Sequence, residues 1–184
     1  PVESLGGKTP LEAARTPNMD ALAQTAQIGL VKTVPDGLAP GSDVANLGVL
    51  GFDARACYTG RSPLEALSIG IDMKADDLAM RTNLVTLSQD EPFEDKIMLD
   101  YSAGEISADE ARELMNCVID NLSSDKYKFY VGTSYRNCLV VSHAKAGNDL
   151  TPPHEISDRR IGEYLPKGEL GKDLTAFIEN SYEL

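Results

Sequence analysis

Apolar positions recur along the chain in two rhythms. After Ser42 the set Val44, Leu47 and Leu50 follows at roughly helical spacing, which predicts an amphipathic helix. The turn-rich stretch before it, with Pro35, Gly37, Pro40 and Gly41, disfavours regular structure. Thr16 to Ala23, with Pro17 in its first turn, reads as a second helix start. Ser107-Ala-Asp-Glu110 is a capping box. The helix it opens carries Ala111, Leu114, Met115, Val118 and Leu122 on one face. Leu170 to Leu184 reads as a helix still running at the end of the chain. Strands are predicted where the period drops to two or where β-branched runs occur. Ile28 to Val34 reads as a buried strand. Alternation at Ile69, Ile71 and Met73, and more loosely from Met80 to Leu87, gives further strands. Ile97 to Tyr101, Lys128 to Val131 and Cys138 to Ser142 complete the set. Asp90 to Asp95 reads as a solvated acidic turn, and Leu150 to Pro166 as an irregular, proline-rich segment.

The texture therefore changes near residue 70. Residues 1–70 read as strand, loop and helix in an α/β arrangement. Residues 71–184 read as strands around one long helix, a small α+β unit.

The 184 residues, 42% hydrophobic, suffice for one ordinary domain or two small ones. Neither a bilayer-length apolar run nor a secretory signal pattern is present. The sequence opens on Pro1 and stops inside a helix, so it reads as an excerpt of a longer polypeptide. The formal net charge is −12, which argues against nucleic acid and anionic membrane as partners. A phosphate site must then be built from a few placed Arg and Lys residues or from metal ions. Cys57, Cys117 and Cys138 show no CxxC spacing, consistent with a reducing cytoplasm and with neither a disulfide framework nor a zinc site. Two histidines, His143 and His154, do not make a rich metal site.

Ser42 stands at the mouth of its predicted helix, where free backbone N–H groups favour an anion. If the chain does chemistry on phosphate, this hydroxyl is the place for a covalent intermediate; plain N-capping is the alternative. Gly6-Gly-Lys-Thr9 resembles a phosphate-binding loop only superficially, because the GxxxxGK[ST] spacing is absent. Arg61, in the Tyr58-Thr-Gly-Arg-Ser-Pro63 turn, has a planar fork suited to phosphate or carboxylate; a surface ion pair is its alternative.

Several stretches, in order along nearly the whole chain, resemble one family. They are Gly6-Gly-Lys-Thr-Pro-Leu-Glu12, Thr16-Pro-Asn-Met-Asp20, Pro40-Gly-Ser-Asp-Val-Ala-Asn46, Tyr58-Thr-Gly-Arg-Ser-Pro-Leu-Glu-Ala66, Met80-Arg-Thr-Asn-Leu-Val85, Asp100-Tyr-Ser-Ala-Gly-Glu105, Ser134-Tyr-Arg136 and Leu150-Thr-Pro-Pro-His-Glu155. The family is the archaeal-type 2,3-bisphosphoglycerate-independent phosphoglycerate mutases, within the alkaline-phosphatase superfamily.

The resemblance implies an α/β fold, with a partial alkaline-phosphatase-like core in residues 1–70 followed by an inserted α+β domain in 71–184 that closes over substrate. It implies a cytoplasmic isomerase of glycolysis and gluconeogenesis that interconverts 3-phosphoglycerate and 2-phosphoglycerate through a phosphoserine. Ser42 then resembles the nucleophile and a metal ligand, served by two divalent ions, manganese or magnesium. Arg81, Asn83, Arg136 and His154 are candidates to clasp phosphate and carboxylate; Arg61, Asp77 and Lys8 are weaker ones. As purely structural alternatives, Arg81 pairs with Asp76 or Asp77, Arg136 braces its turn, and His154 anchors its proline loop. The family's other metal ligands, an Asp-Gly pair before Pro1 and an Asp/His cluster after Leu184, are expected outside this sequence. The chain alone is therefore expected to bind metal poorly and to be inactive. Oligomeric state stays open. Two other readings stand beside this one: a related phosphotransferase such as a proposed homoserine kinase, and a non-catalytic binding module.

Overall fold

The computed structural model describes residues 1–184 as a mixed α/β chain of seven helices and two small sheets. It divides into two compact units, Pro1–Tyr58 and Thr59–Leu184. The boundary between these units, after Tyr58, differs from the boundary expected at residue 70.

The first unit is helical. It holds α1 (Pro10–Ala13), α2 (Pro17–Ala23), α3 (Ser42–Val49) and α4 (Ala54–Cys57). Thr9 and Glu12 form a capping box that starts α1, and Asp53 accepts from the Arg55 N–H at 3.1 Å to start α4. Only Val44 and Ala54 are buried here. The strand expected over 28–34 does not form. Ile28 and Val31 are each 80% exposed, and Leu30 is fully exposed. A strand exists only by pairing with another, and this unit contains no strand to pair with.

The second unit begins with α5 (Arg61–Ser68) and continues through β1 (Leu78–Asn83), β2 (Thr86–Leu87), β3 (Met98–Asp100), α6 (Ala108–Leu122), β4 (Tyr127–Thr133), β5 (Arg136–Val141) and α7 (Gly171–Glu183). Its main sheet is antiparallel in the order β1-β5-β4, and β2 pairs with β3. The predicted helices at 107–122 and 170–184 are present, the first with its Ser107–Glu110 capping box complete. Central β5 reads Cys-Leu-Val-Val with every residue buried, as a strand covered on both faces must. On one face Met80, Phe129, Leu139 and Val141 pack with Met115 of α6 and Leu174 of α7. On the other face Ala79, Cys138 and Val140 pack with Ala66 of α5 and with Ile71. A smaller cluster of Met98, Ile156 and Ile161 underlies the irregular 150–166 segment.

Two local expectations change. Residues 69–73 form no strand; Ile71 donates its N–H to the Ala66 carbonyl at 3.1 Å. The alternation there still has a cause, because Ile71 and Met73 both pack against the sheet. Leu114 is half-exposed although it lies on the apolar stripe of α6, whereas Ala111 and Met115 are buried.

Candidate functional site

In the first unit, Gly41 is the N-cap of α3 and Ser42 its first residue. No side chain caps this helix start, so plain capping does not account for the hydroxyl. Ser42 is exposed, beside the N–H groups of the first turn, where an anion is stabilised. The neighbouring Asp43 carboxylate accepts from the Tyr58 hydroxyl. Lys8 is exposed in a turn closed by its bridge to Val2.

The other candidates lie in the second unit. Register pairs Arg81 with Cys138 and Asn83 with Arg136. Residues opposite one another share a face and alternate along the strand. Arg81, Asn83 and Arg136 therefore stand on the face covered by α5, at the β5 end where apolar packing gives way to polar side chains. Arg81 and Arg136 are diagonal neighbours, about 7–8 Å apart at their backbones. The Arg81 N–H donates to Ser62 Oγ at 3.2 Å, and its guanidinium lies 3.5 Å from Glu65 Oε1. Its Nε is buried and makes no hydrogen bond, a donor left for another acceptor. Neither Asp76 nor Asp77 is the Arg81 partner. Asp76 pairs with His143, which holds its carboxyl below the usual range, and Asp77 Oδ2 accepts from the Lys74 N–H. Arg61 is the first residue of α5, following Gly60, whose φ is positive (124°).

A second group of side chains joins this face. Asn83 Nδ2 donates to the Tyr101 carbonyl at 3.3 Å. Arg136 lies over the Tyr135 ring, 4.9 Å from its centroid, and donates to the Tyr135 hydroxyl at 3.0 Å. The Tyr101 ring meets Tyr135 edge-on at 6.2 Å and His154 at 6.1 Å. His154 thus joins this group through Tyr101, although it lies in a separate loop. Sequence reasoning missed Tyr101, Tyr135 and Ser62 as neighbours of these cations. Both tyrosines stand inside the recognised motifs, but only folding shows that their rings touch.

The donors present do not fit a metal pair. No group of three or more His, Cys, Asp or Glu side chains is arranged to hold an ion, and one hydroxyl beside one carboxylate is too few for a two-metal clamp. No helix is long and apolar enough to cross a membrane.

The family description "2,3-bisphosphoglycerate-independent phosphoglycerate mutase" matches residues 23–184. A probable enzyme of that name from Geobacter sulfurreducens is 50% identical over 181 residues, covering 98% of this chain and 45% of that relative. One from Methanosarcina acetivorans is 46% identical, covering 98% and 44%. Among solved structures, the cofactor-independent phosphoglycerate mutase of Thermoplasma acidophilum superposes with a TM-score of 0.55 at 27% identity, over 100% of this chain and 48% of that one. The chain thus spans about 45% of the length of the first of these relatives. With the family pattern running from residue 23 to residue 184, the chain belongs to the 2,3-bisphosphoglycerate-independent phosphoglycerate mutases.

Proposed function

We propose that this chain supplies the nucleophile and the anion-binding residues of a phosphoglycerate mutase. The carrying observation is that Arg81 and Asn83 of β1 and the sequence-distant Arg136 of β5 share one sheet face beside the first turn of α5. Two guanidinium groups and an amide suit a small substrate bearing both phosphate and carboxylate. The family match and the relatives' names favour this reading over a homoserine kinase or a non-catalytic module.

In this reading the Ser42 hydroxyl oxygen attacks phosphorus of 3-phosphoglycerate. The Ser42 Oγ–P bond forms as the bond from phosphorus to the 3-oxygen breaks, and the hydroxyl proton passes to the departing alkoxide. The 2-hydroxyl oxygen of glycerate then attacks phosphorus, its bond to phosphorus forms as the Ser42 Oγ–P bond breaks, and its proton returns to Ser42 Oγ, leaving 2-phosphoglycerate. Within the second unit, Arg81 and Arg136 are the cations for the substrate's anionic groups, with Asn83, His154 and Arg61 as further members of the clasp. Residues 1–70 belong in this reading to an alkaline-phosphatase-like core and 71–184 to an inserted domain. Two divalent ions belong to it only with ligands from outside these residues. A cytoplasmic location goes with the same reading.

The test replaces the matching stretch of the Geobacter sulfurreducens relative with this chain. Conversion of 3- to 2-phosphoglycerate, a phosphorylated Ser42 by mass spectrometry, and loss of conversion by about 10³-fold or more in Ser42→Ala are expected. Conversion that survives Ser42→Ala overturns the assignment.

A further inference from the structure

We propose that Tyr101 is the positioning residue that couples Arg136 to His154, so that both address one anion; the second clause rests on the function proposed above. Tyr101 is 40% exposed, so burial of its ring does not explain its place. Its ring stands edge-on to two others, Tyr135 at 6.2 Å and 77° and His154 at 6.1 Å and 69°. Edge-on contact is the favoured geometry between aromatic rings. Tyr135 in turn carries Arg136 through the ring face and the 3.0 Å hydrogen bond. The chain of contact is therefore Arg136, Tyr135, Tyr101, His154.

The loop that presents Tyr101 is itself fixed. Asp100 Oδ1 accepts from the Ser102 N–H and from the Ser102 hydroxyl, both at 2.7 Å, and Oδ2 accepts from the Gly104 N–H at 2.9 Å. Asn83 holds the Tyr101 carbonyl from β1. Ser134 Oγ donates to the Ile106 carbonyl at 2.6 Å, tying the β4–β5 turn to the far end of the same loop. A rigid seat under an exposed aromatic is what orientation of a neighbour requires. His154 sits on a short 3-10 turn, Pro153–Glu155, and Tyr101 is the aromatic ring that meets it.

The experiment uses the whole chain and 3-phosphoglycerate as probe, with NMR of the histidine rings. His143, paired with Asp76, is the internal reference, and a His154→Asn sample assigns the signals. Arg136→Ala is expected to shift the His154 resonance in the wild-type background and to leave it unmoved in Tyr101→Ala. Affinity for 3-phosphoglycerate is expected to fall about tenfold in Tyr101→Ala and to return in Tyr101→Phe, which keeps the ring. An Arg136→Ala shift at His154 that is the same with and without the Tyr101 ring overturns the coupling, as does a Tyr101→Phe chain no better than Tyr101→Ala. If the wild-type chain takes up no 3-phosphoglycerate, the functional reading fails on this chain. The coupling is then decided by the His154 resonance alone.

Discussion

Gly132→Ala probes how the sheet aims Arg136. Gly132 lies in β4 where the pairing with β5 shifts register between Tyr130 and Thr133. A methyl group at this position would stand 3.1 Å from the Arg136 carbonyl carbon and 3.2 Å from Asn137 Cα, and closer still to the Arg136 carbonyl oxygen. The carbonyl oxygen is the limiting contact, and bringing it back to ordinary van der Waals distance needs a retreat of the Arg136 backbone by about 1 Å. Overpacking of this kind costs about 1–3 kcal/mol, and the Gly132 N–H bond to Asn137 Oδ1 at 2.9 Å is strained with it. A 1 Å misplacement of a positioned group costs about 10²-fold. A displacement of that size corresponds to about 2.7 kcal/mol, or about 10²-fold in affinity. The assay is a chemical denaturation curve beside a 3-phosphoglycerate titration. Gly29→Ala serves as control, because a methyl there meets nothing within 4 Å. Both curves are expected to move for Gly132→Ala and neither for Gly29→Ala. A Gly132→Ala chain that denatures and binds like wild type would refute the argument that close backbone approach aims Arg136.

Two further outcomes follow from titrating groups. The Ser102 hydroxyl, with the N–H groups of Ser102 and Gly104, holds the Asp100 carboxyl below its usual value. A carboxyl depressed on folding stabilises the fold above its unfolded pKa, about 3.9, and that contribution is lost as pH falls through the folded value. The Tyr101 and Tyr135 ring resonances should therefore lose their folded positions on acidification below about pH 4. Asp100→Asn should flatten that profile, and an unchanged acid profile in the variant counts against the clamp. Among the cysteines, burial first and the Glu65 charge second push the Cys138 thiol up to about 11, whereas Cys57 is exposed. A thiol reagent at neutral pH should label Cys57 quickly and Cys138 only on unfolding, and equal labelling rates contradict the buried placement.

Much of the site was legible as residue types and little of it as geometry. The motifs named Ser42, Arg81, Asn83, Arg136 and His154, yet no local pattern says that Arg136 shares the face of Arg81 and Asn83. That follows from the β1–β5 register, Arg81 opposite Cys138 and Asn83 opposite Arg136; a one-residue slip would turn β1's side chains to the other face. The Arg81 partner came out as Glu65 of α5 rather than Asp76 or Asp77, because proximity in sequence does not fix which helix covers a sheet face.

By itself the sequence determined what short-range hydrogen bonding closes. The Ser107–Glu110 capping box and the apolar spacing behind it specify α6, and the same logic yields α2, α3 and α7, since a helix bonds each residue to one four positions away. Tertiary structure decided the rest. Ile28–Val34 and Ile69–Met73 carry apolar and alternating patterns that suit strands, but neither lies in a strand here. A strand's N–H and C=O groups find partners only on another segment, whose position no local pattern records. Likewise the Tyr101, Tyr135 and His154 rings, from three separate loops and turns, meet only once the sheet and its connections are in place.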